Sequence, residues 1–182
     1  WISRENAQAR NVGPIRSGEL LNNLSWTELV MSFAILDQVA RKERLYLVPT
    51  RPADSLLFTG FALADRFRPG TYRIEVDQSG GQYILKSGEG QVVETAPIGG
   101  SIGREIGFLW TPPRSEMTAN RSAEFLVQTP RHAAVDLRQR LQPALRENTS
   151  LMRLRLSGTD PSRLASIMNA VMDEFVRVAA DL

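Results

Sequence analysis

Between residues 151 and 177, "LMRLRLSGTDPSRLASIMNAVMDEFVR", the hydrophobic repeat changes from every second residue to a helical spacing across one short turn. Met152, Leu154 and Leu156 fall on one side and Arg153 and Arg155 on the other, the alternation of a half-buried strand. Asp160 is placed to cap a helix, and Pro161 takes the first helical position, where a missing N–H costs nothing. Leu164, Ile167, Met168, Val171, Met172, Phe175, Val176 and Ala179 then make a broad apolar stripe. Arg163, Ser166, Asn169, Asp173 and Arg177 lie opposite, with Asp173 and Arg177 spaced for an ion pair. A chain that joins these two forms in a few residues belongs to neither an all-α nor an all-β class.

The remaining segments carry the same mixture. Gly18 to Arg44 reads as helix after a polar loop from Arg4 to Ser17. Leu20, Leu21 and Leu24 precede Ser25, which with Glu28 three residues later resembles a capping box. Leu29, Val30, Phe33, Leu36, Val39 and Ala40 supply its apolar face, and Arg41, Lys42 and Arg44 suit its carboxyl end. "LYLVP" (45–49) is extended, and "PADSLLFTGFALADRF" predicts one or two short helices. "TYRIEVD" alternates strictly, and the Gly-rich turns "QSGG" and "SGEG" separate it from "QYILK" and "QVVET", which predicts a β-meander. "EIGFLW" and "AEFLVQT" add strands on either side of a loop holding Pro112 and Pro113. Pro130 then opens a helix, "RHAAVDLRQRLQPAL". Trp1-Ile2 reads as the end of a strand, and because the chain begins at Trp rather than Met it is expected to be a piece of a longer protein.

Composition narrows the chemistry. A chain of 182 residues suits one compact domain, or one domain with an elaboration. It holds no cysteine, which excludes disulfides, thiolate zinc sites and thiol nucleophiles, and which fits a cytosolic or periplasmic bacterial protein. A net charge of +2 gives no footprint for nucleic acid. No apolar run has the length of a membrane span, and no signal peptide is visible. No Walker A or G-x-G-x-x-G motif occurs.

Several groups invite a chemical reading. "GGSIG" (99–103) matches the nucleophile elbow of serine hydrolases and would make Ser101 the nucleophile. The elbow needs a parallel strand before it and a helix after it, whereas meander strands precede this one and "REIGFLW" reads as strand. His132 is the only histidine, and Glu105, Glu116 and Glu124, but no Asp, lie between it and Ser101. The plainer reading of "GGSIG" is a turn between strands. A lone His132 without partners of ligand spacing is a packing or surface residue rather than a metal site. "SGTDPS" has the strand–turn–helix form of a phosphate cradle, but Asp160 puts negative charge where the phosphate would sit. Asp173-Glu174 is solvated helix charge. Arg153 and Arg155 admit two readings. One is a solvated edge or cross-strand ion pairs; the other is contact with an anionic partner, a neighbouring subunit or a glycan-linked phosphate. Read from the residues alone, the chain is an α+β domain for binding or assembly.

The strand "LMRLRLSGTDP" followed by "PSRLASIMNAVMDEFVRVA" resembles the carboxyl-terminal part of the periplasmic domain of bacterial polysaccharide co-polymerases. These are the Wzz-type chain-length determinants and the related exopolysaccharide tyrosine-kinase adaptors. Asp160-Pro161, Ala165, Asn169-Ala170, Phe175 and Val176 fill that family's Asp-Pro turn and "A…NA…(F/Y)V" helix. "GELLNNLSWTELVMSFAILDQVARKERLYL" is similar to the family's leucine-rich segment and following helix, with Trp1-Ile2 as the end of its first strand. The resemblance spans about residues 1–48 and 130–182. It departs from simple members in the β-rich middle, and the coiled coil, flanking membrane helices and kinase domain of larger members are not in the chain.

The resemblance implies an α+β fold with a mixed base sheet, covering helices and an inserted antiparallel β-meander. The base would comprise residues 1–67 and 130–182, and the insert 68–129. It implies a non-enzymatic scaffold with no cofactor, the periplasmic domain of an inner-membrane protein that sets the chain length or directs the export of a surface polysaccharide. Its partners would be further copies of itself, a polysaccharide polymerase, glycan or an outer-membrane export partner, with the membrane reached through segments outside this chain. The isolated chain is expected to be a monomer or weak dimer. The alternatives are a periplasmic adaptor of an efflux or secretion system and, as an enzyme, a serine hydrolase using Ser101.

Overall fold

The computed structural model describes residues 23–145 and 152–181. Helices α1 (Asn23–Val30) and α2 (Phe33–Lys42) lead into strand β1 (Leu47–Pro49) and a 3-10 helix (Pro52–Phe58). Then come β2 (Ala62–Leu63), β3 (Gly70–Val76), β4 (Gln82–Ser87), β5 (Val92–Pro97), β6 (Phe108–Leu109) and β7 (Ser122–Val127). Helix α3 (Pro130–Arg140), strands β8 (Leu141–Leu145) and β9 (Met152–Leu156), and helix α4 (Pro161–Ala180) complete the order. The α+β class read from sequence is the class observed. Trp1-Ile2 and the loop from Arg4 to Ser17 lie outside the described residues.

The main sheet has the order β1-β7-β3-β4-β5 and carries the meander at one side. Its alternation is as expected: Tyr72, Ile74, Val76, Tyr83, Leu85, Phe125 and Val127 are buried on one face. The opposite face is polar, with Arg73 paired to Glu124 and Lys86 to Glu75 across neighbouring strands. Every strand pairing among the described residues is antiparallel, so the base sheet of mixed sense anticipated from the resemblance does not take form among them. β1 pairs with β7, Val48 opposite Leu126. The segment before residue 68 and the β-rich middle therefore share one sheet.

Under the sheet, rings fill the space. Phe58 stacks on Trp110 at 5.1 Å, and Phe61, Phe108 and Phe125 pack edge-on or tilted around them. Each such side chain contributes about 1.5–3 kcal/mol relative to exposure. The polar ends of Trp110 and Tyr72 are satisfied. Trp110 Nε1 donates to the Leu57 carbonyl at 3.2 Å, and Tyr72 Oη donates to the Arg68 carbonyl at 2.8 Å. One apolar cluster runs from these rings to the helices, through Leu36, Val39, Ala134, Leu137, Ile167 and Val171.

Local structure departs from expectation at four points, the first being "PADSLLFTGFALADRF", where a single 3-10 helix (Pro52–Phe58) is followed by strand β2 and not by a second helix. The long first helix is two helices, broken at Met31-Ser32, where Ser32 is extended (φ −73°, ψ 149°). Ser25 lies inside α1 rather than at its start. The apolar spacing ran through the break because both helices turn inward faces to the same core. The helix expected over "RHAAVDLRQRLQPAL" stops at Arg140, and Leu141–Leu145 forms β8, paired with β9. Pro143 explains this: it removes an N–H and disfavours helix in the residue before it, yet it is tolerated in a two-stranded edge. "EIGFLW" is a strand only at Phe108–Leu109, paired with β2, after a 3-10 turn over Arg104–Ile106.

Candidate functional site

The strand–turn–helix of residues 152–180 is built from β9 and α4. Asp160 is extended, and its Oδ1 accepts from the Arg163 N–H at 3.1 Å, with Pro161 at the first helical position. The carboxylate closes the amino end of α4 as its spacing anticipates. Ile167, Ala170 and Val171 are buried. Trp26 of α1 meets Phe175 edge-on at 5.7 Å. Met172 and Val176 stay 43% and 60% exposed, so the apolar stripe is wider than the face that packs. The anticipated Asp173–Arg177 pair is absent. Asp173 instead meets Lys42 Nζ of α2 at 3.3 Å, and Arg177 Nε donates to Glu174 Oε2 at 2.6 Å. Tertiary packing brought Lys42 to Asp173, a contact no local spacing could reveal.

At the foot of α4 lies a cleft of about 400 Å³. One wall is the stretch after α2, from Arg44 to Pro49, with the 3-10 helix; the second is α3; the third is the β9–α4 turn and the first turns of α4. Buried Leu47, Phe58, Leu137 and Ile167 line its interior. Arg44, Arg140 and Arg163 stand at it together with Asp136 and Asp160. Arg140 Nη2 donates to the Ser157 carbonyl at 2.8 Å, tying α3 to the turn. A Cβ at position 158 would lie 3.0 Å from Leu164 Cδ2 and 3.1 Å from Arg140 Nη2, so glycine leaves the turn room against both side chains. Beside the cleft, burial pushes the Tyr46 phenol above its ordinary value, opposed by the Arg44 and Arg41 charges.

Arg153 and Arg155 are exposed on the outward side of β9, opposite Ala144 and Gln142 of β8, and do not line the cleft. Neither has an ion pair or side-chain hydrogen bond among the described residues, so cross-strand pairing is not their role there. Ser101 follows β5 and precedes the 3-10 turn at Arg104–Ile106, not an α-helix. Its Oγ lies 3.2 Å from Thr111 Oγ1 and 3.5 Å from Arg104 Nη2, with neither a histidine nor a carboxylate among its hydrogen-bond partners. His132 is in the first turn of α3, where its N–H donates to the capping Thr129 Oγ1 at 3.1 Å. The described residues contain no group of His, Cys, Asp or Glu placed to hold a metal ion, and no helix long and apolar enough to cross a membrane.

Two features escaped the sequence reading. The cleft is one, because its walls come from separate parts of the chain. The other is Asp54, 2% exposed and held by Arg51 Nε at 2.9 Å and Arg121 Nη2 at 3.2 Å. Asp54 lies in an apolar-looking run, and only the Arg51 spacing hinted at its partner.

The chain matches no protein-family model, and no curated protein matches it.

Proposed function

We propose that this chain is the periplasmic domain of a bacterial polysaccharide co-polymerase, a non-enzymatic scaffold that sets the length or directs the export of a surface polysaccharide. The observation that carries the reading is the β9–turn–α4 unit. It joins an alternating strand to a 20-residue helix through a capped Asp160-Pro161 start, and Ala165, Asn169-Ala170, Phe175 and Val176 lie along that helix in the resembling pattern. A scaffold also accords with Ser101, which has hydroxyl and guanidinium neighbours instead of a base. Subunits associate side by side in the parent protein and present a shared surface to polymerase, glycan or export partner.

The test is genetic and chemical. In the source bacterium, the region encoding this domain is deleted in frame, and surface polysaccharide is resolved by size on gels. The expected result is a changed modal chain length or a loss of exported polymer, restored by the intact gene. Unchanged length and amount would overturn the proposal. Labelling of Ser101 by a fluorophosphonate probe would overturn the non-enzymatic part.

A further inference from the structure

Arg44 sits in the left-handed region at φ 50°. It follows Glu43 at the carboxyl end of α2, and the hydrogen bonds Leu45 N–H to Ala40 carbonyl (2.9 Å) and Arg44 N–H to Arg41 carbonyl (3.2 Å) define a Schellman ending. Glycine is the residue that such a position ordinarily takes, because a side chain there is strained. A strained backbone kept at a cleft is a pointer to use. Here it holds Arg44 at the same cleft as Arg140 and Arg163, which arrive from α3 and α4.

These arginines retain donor capacity. Arg140 spends one N–H on Ser157, Arg163 makes a long contact of 3.5 Å to the Glu43 carbonyl, and Arg44 has no side-chain partner among the described residues. A guanidinium offers five donors in a planar fork suited to a carboxylate or phosphate. The two aspartates at the cleft each have one oxygen engaged, Asp136 Oδ2 by Gln128 Nε2 at 3.2 Å and Asp160 Oδ1 by the helix cap. Their other oxygens would repel a bare anion but accept from hydroxyl groups. Beneath lies the apolar interior of Leu47, Phe58 and Leu137. We propose that this cleft binds a carboxylated saccharide, its carboxylate on Arg44, Arg140 and Arg163, its hydroxyls on Asp136 and Asp160, and its C–H face on the apolar floor. The choice of a saccharide rests on the polysaccharide reading given above; the anionic group and the hydroxyls are read from the cleft itself.

The probes are a galacturonate trimer, a mannuronate trimer and a hyaluronan tetrasaccharide, titrated calorimetrically into the 182-residue chain beside maltotriose, inorganic phosphate and a hexaglutamate peptide. At least one uronate probe is expected to bind at least about tenfold more tightly than maltotriose, phosphate or the peptide, one charge-assisted contact being enough for that margin. Arg44→Gly is expected to raise Tm by about 2–4 °C through relief of strain, while weakening uronate binding about tenfold or more. Arg177→Gln, remote from the cleft on α4, removes the same charge and is expected to leave binding unchanged. Failure of all three uronates, equal binding of maltotriose or phosphate, tighter binding of the peptide, or an Arg44→Gly chain with unchanged affinity would each overturn the assignment. If polymer length responds to deletion of the domain but no uronate binds, the cleft assignment alone falls. If a uronate binds and polymer length does not respond, the scaffold reading falls and the saccharide site stands.

Discussion

Asp54 shows how a single buried charge can matter beyond its size. Its carboxylate is withdrawn from water, and both cations that balance it keep partial contact with solvent. Removing the carboxylate leaves charges that water can still reach; removing the cations strands a buried anion. Asp54→Asn is therefore expected to cost about 2 kcal/mol, and the double change Arg51→Met with Arg121→Met about 3–5 kcal/mol. Urea denaturation of the two variants checks the order, and an Asp54→Asn chain less stable than the double variant would refute it. Little of this was legible in sequence. Arg51 lies three residues from Asp54, but Arg121 is 67 positions away and reaches it only through the fold.

At the scale of elements, the helix start at Asp160 and the β3–β4 turn at Asp77 carry the clearest consequences. Asp160→Ala removes the acceptor for the Arg163 N–H and is expected to lower stability by about 1 kcal/mol, with faster amide exchange in the first turn of α4. Equal exchange in both chains would show that the cap contributes nothing. Asp77 accepts from Ser79 Oγ at 2.6 Å, Gly81 N–H at 2.8 Å and Gln82 N–H at 3.1 Å. The Ser79 hydroxyl first, and then the backbone donors, hold its carboxyl below the ordinary value of 3.8. A depressed carboxyl stabilises the folded turn at pH above the ordinary value, and that contribution is lost as pH falls through the lower folded value. Carbon-13 titration of the carboxyl is expected to give a midpoint under 3.8, and Asp77→Asn to remove this acid-dependent step. A midpoint at or above the ordinary value would contradict the hydrogen-bonded turn. Elements whose rules are local were readable in this way: the meander, the Asp160-capped start of α4 and the strand β9. The break at Ser32 was not, since its apolar spacing is continuous and only packing of α2 against α3 and α4 distinguishes the two helices.

For the whole molecule, the shared sheet and the shared core set the expected behaviour. β1, next to the helices in sequence, completes the sheet beside β7, and one apolar cluster joins helices to meander. The portions before residue 68, from 68 to 129, and after residue 130 are thus expected to unfold together, in one calorimetric transition whose van't Hoff and measured enthalpies agree. Two separated transitions, or early loss of the meander's amide protection, would show that the middle folds as an independent unit. The cleft belongs to this scale as well. Its walls meet only when α3, the stretch after α2 and the β9–α4 turn are all in place, so disruption of any one of them removes it.

Sequence alone determined the α+β class, the meander, the capped helix after Asp160 and the lack of any thiol chemistry, because each follows from residue type and near-neighbour spacing. Tertiary structure decided the rest: the burial of Asp54, the Lys42–Asp173 contact and the gathering of Arg44, Arg140 and Arg163 at one cleft. Those depend on residues far apart in the chain whose meeting is set by the packing of the shared core, and no local periodicity encodes it. The turn at Gly158–Asp160 spans both kinds of information. Its cap was written in the sequence, while its place at the edge of a cationic cleft came only with the fold.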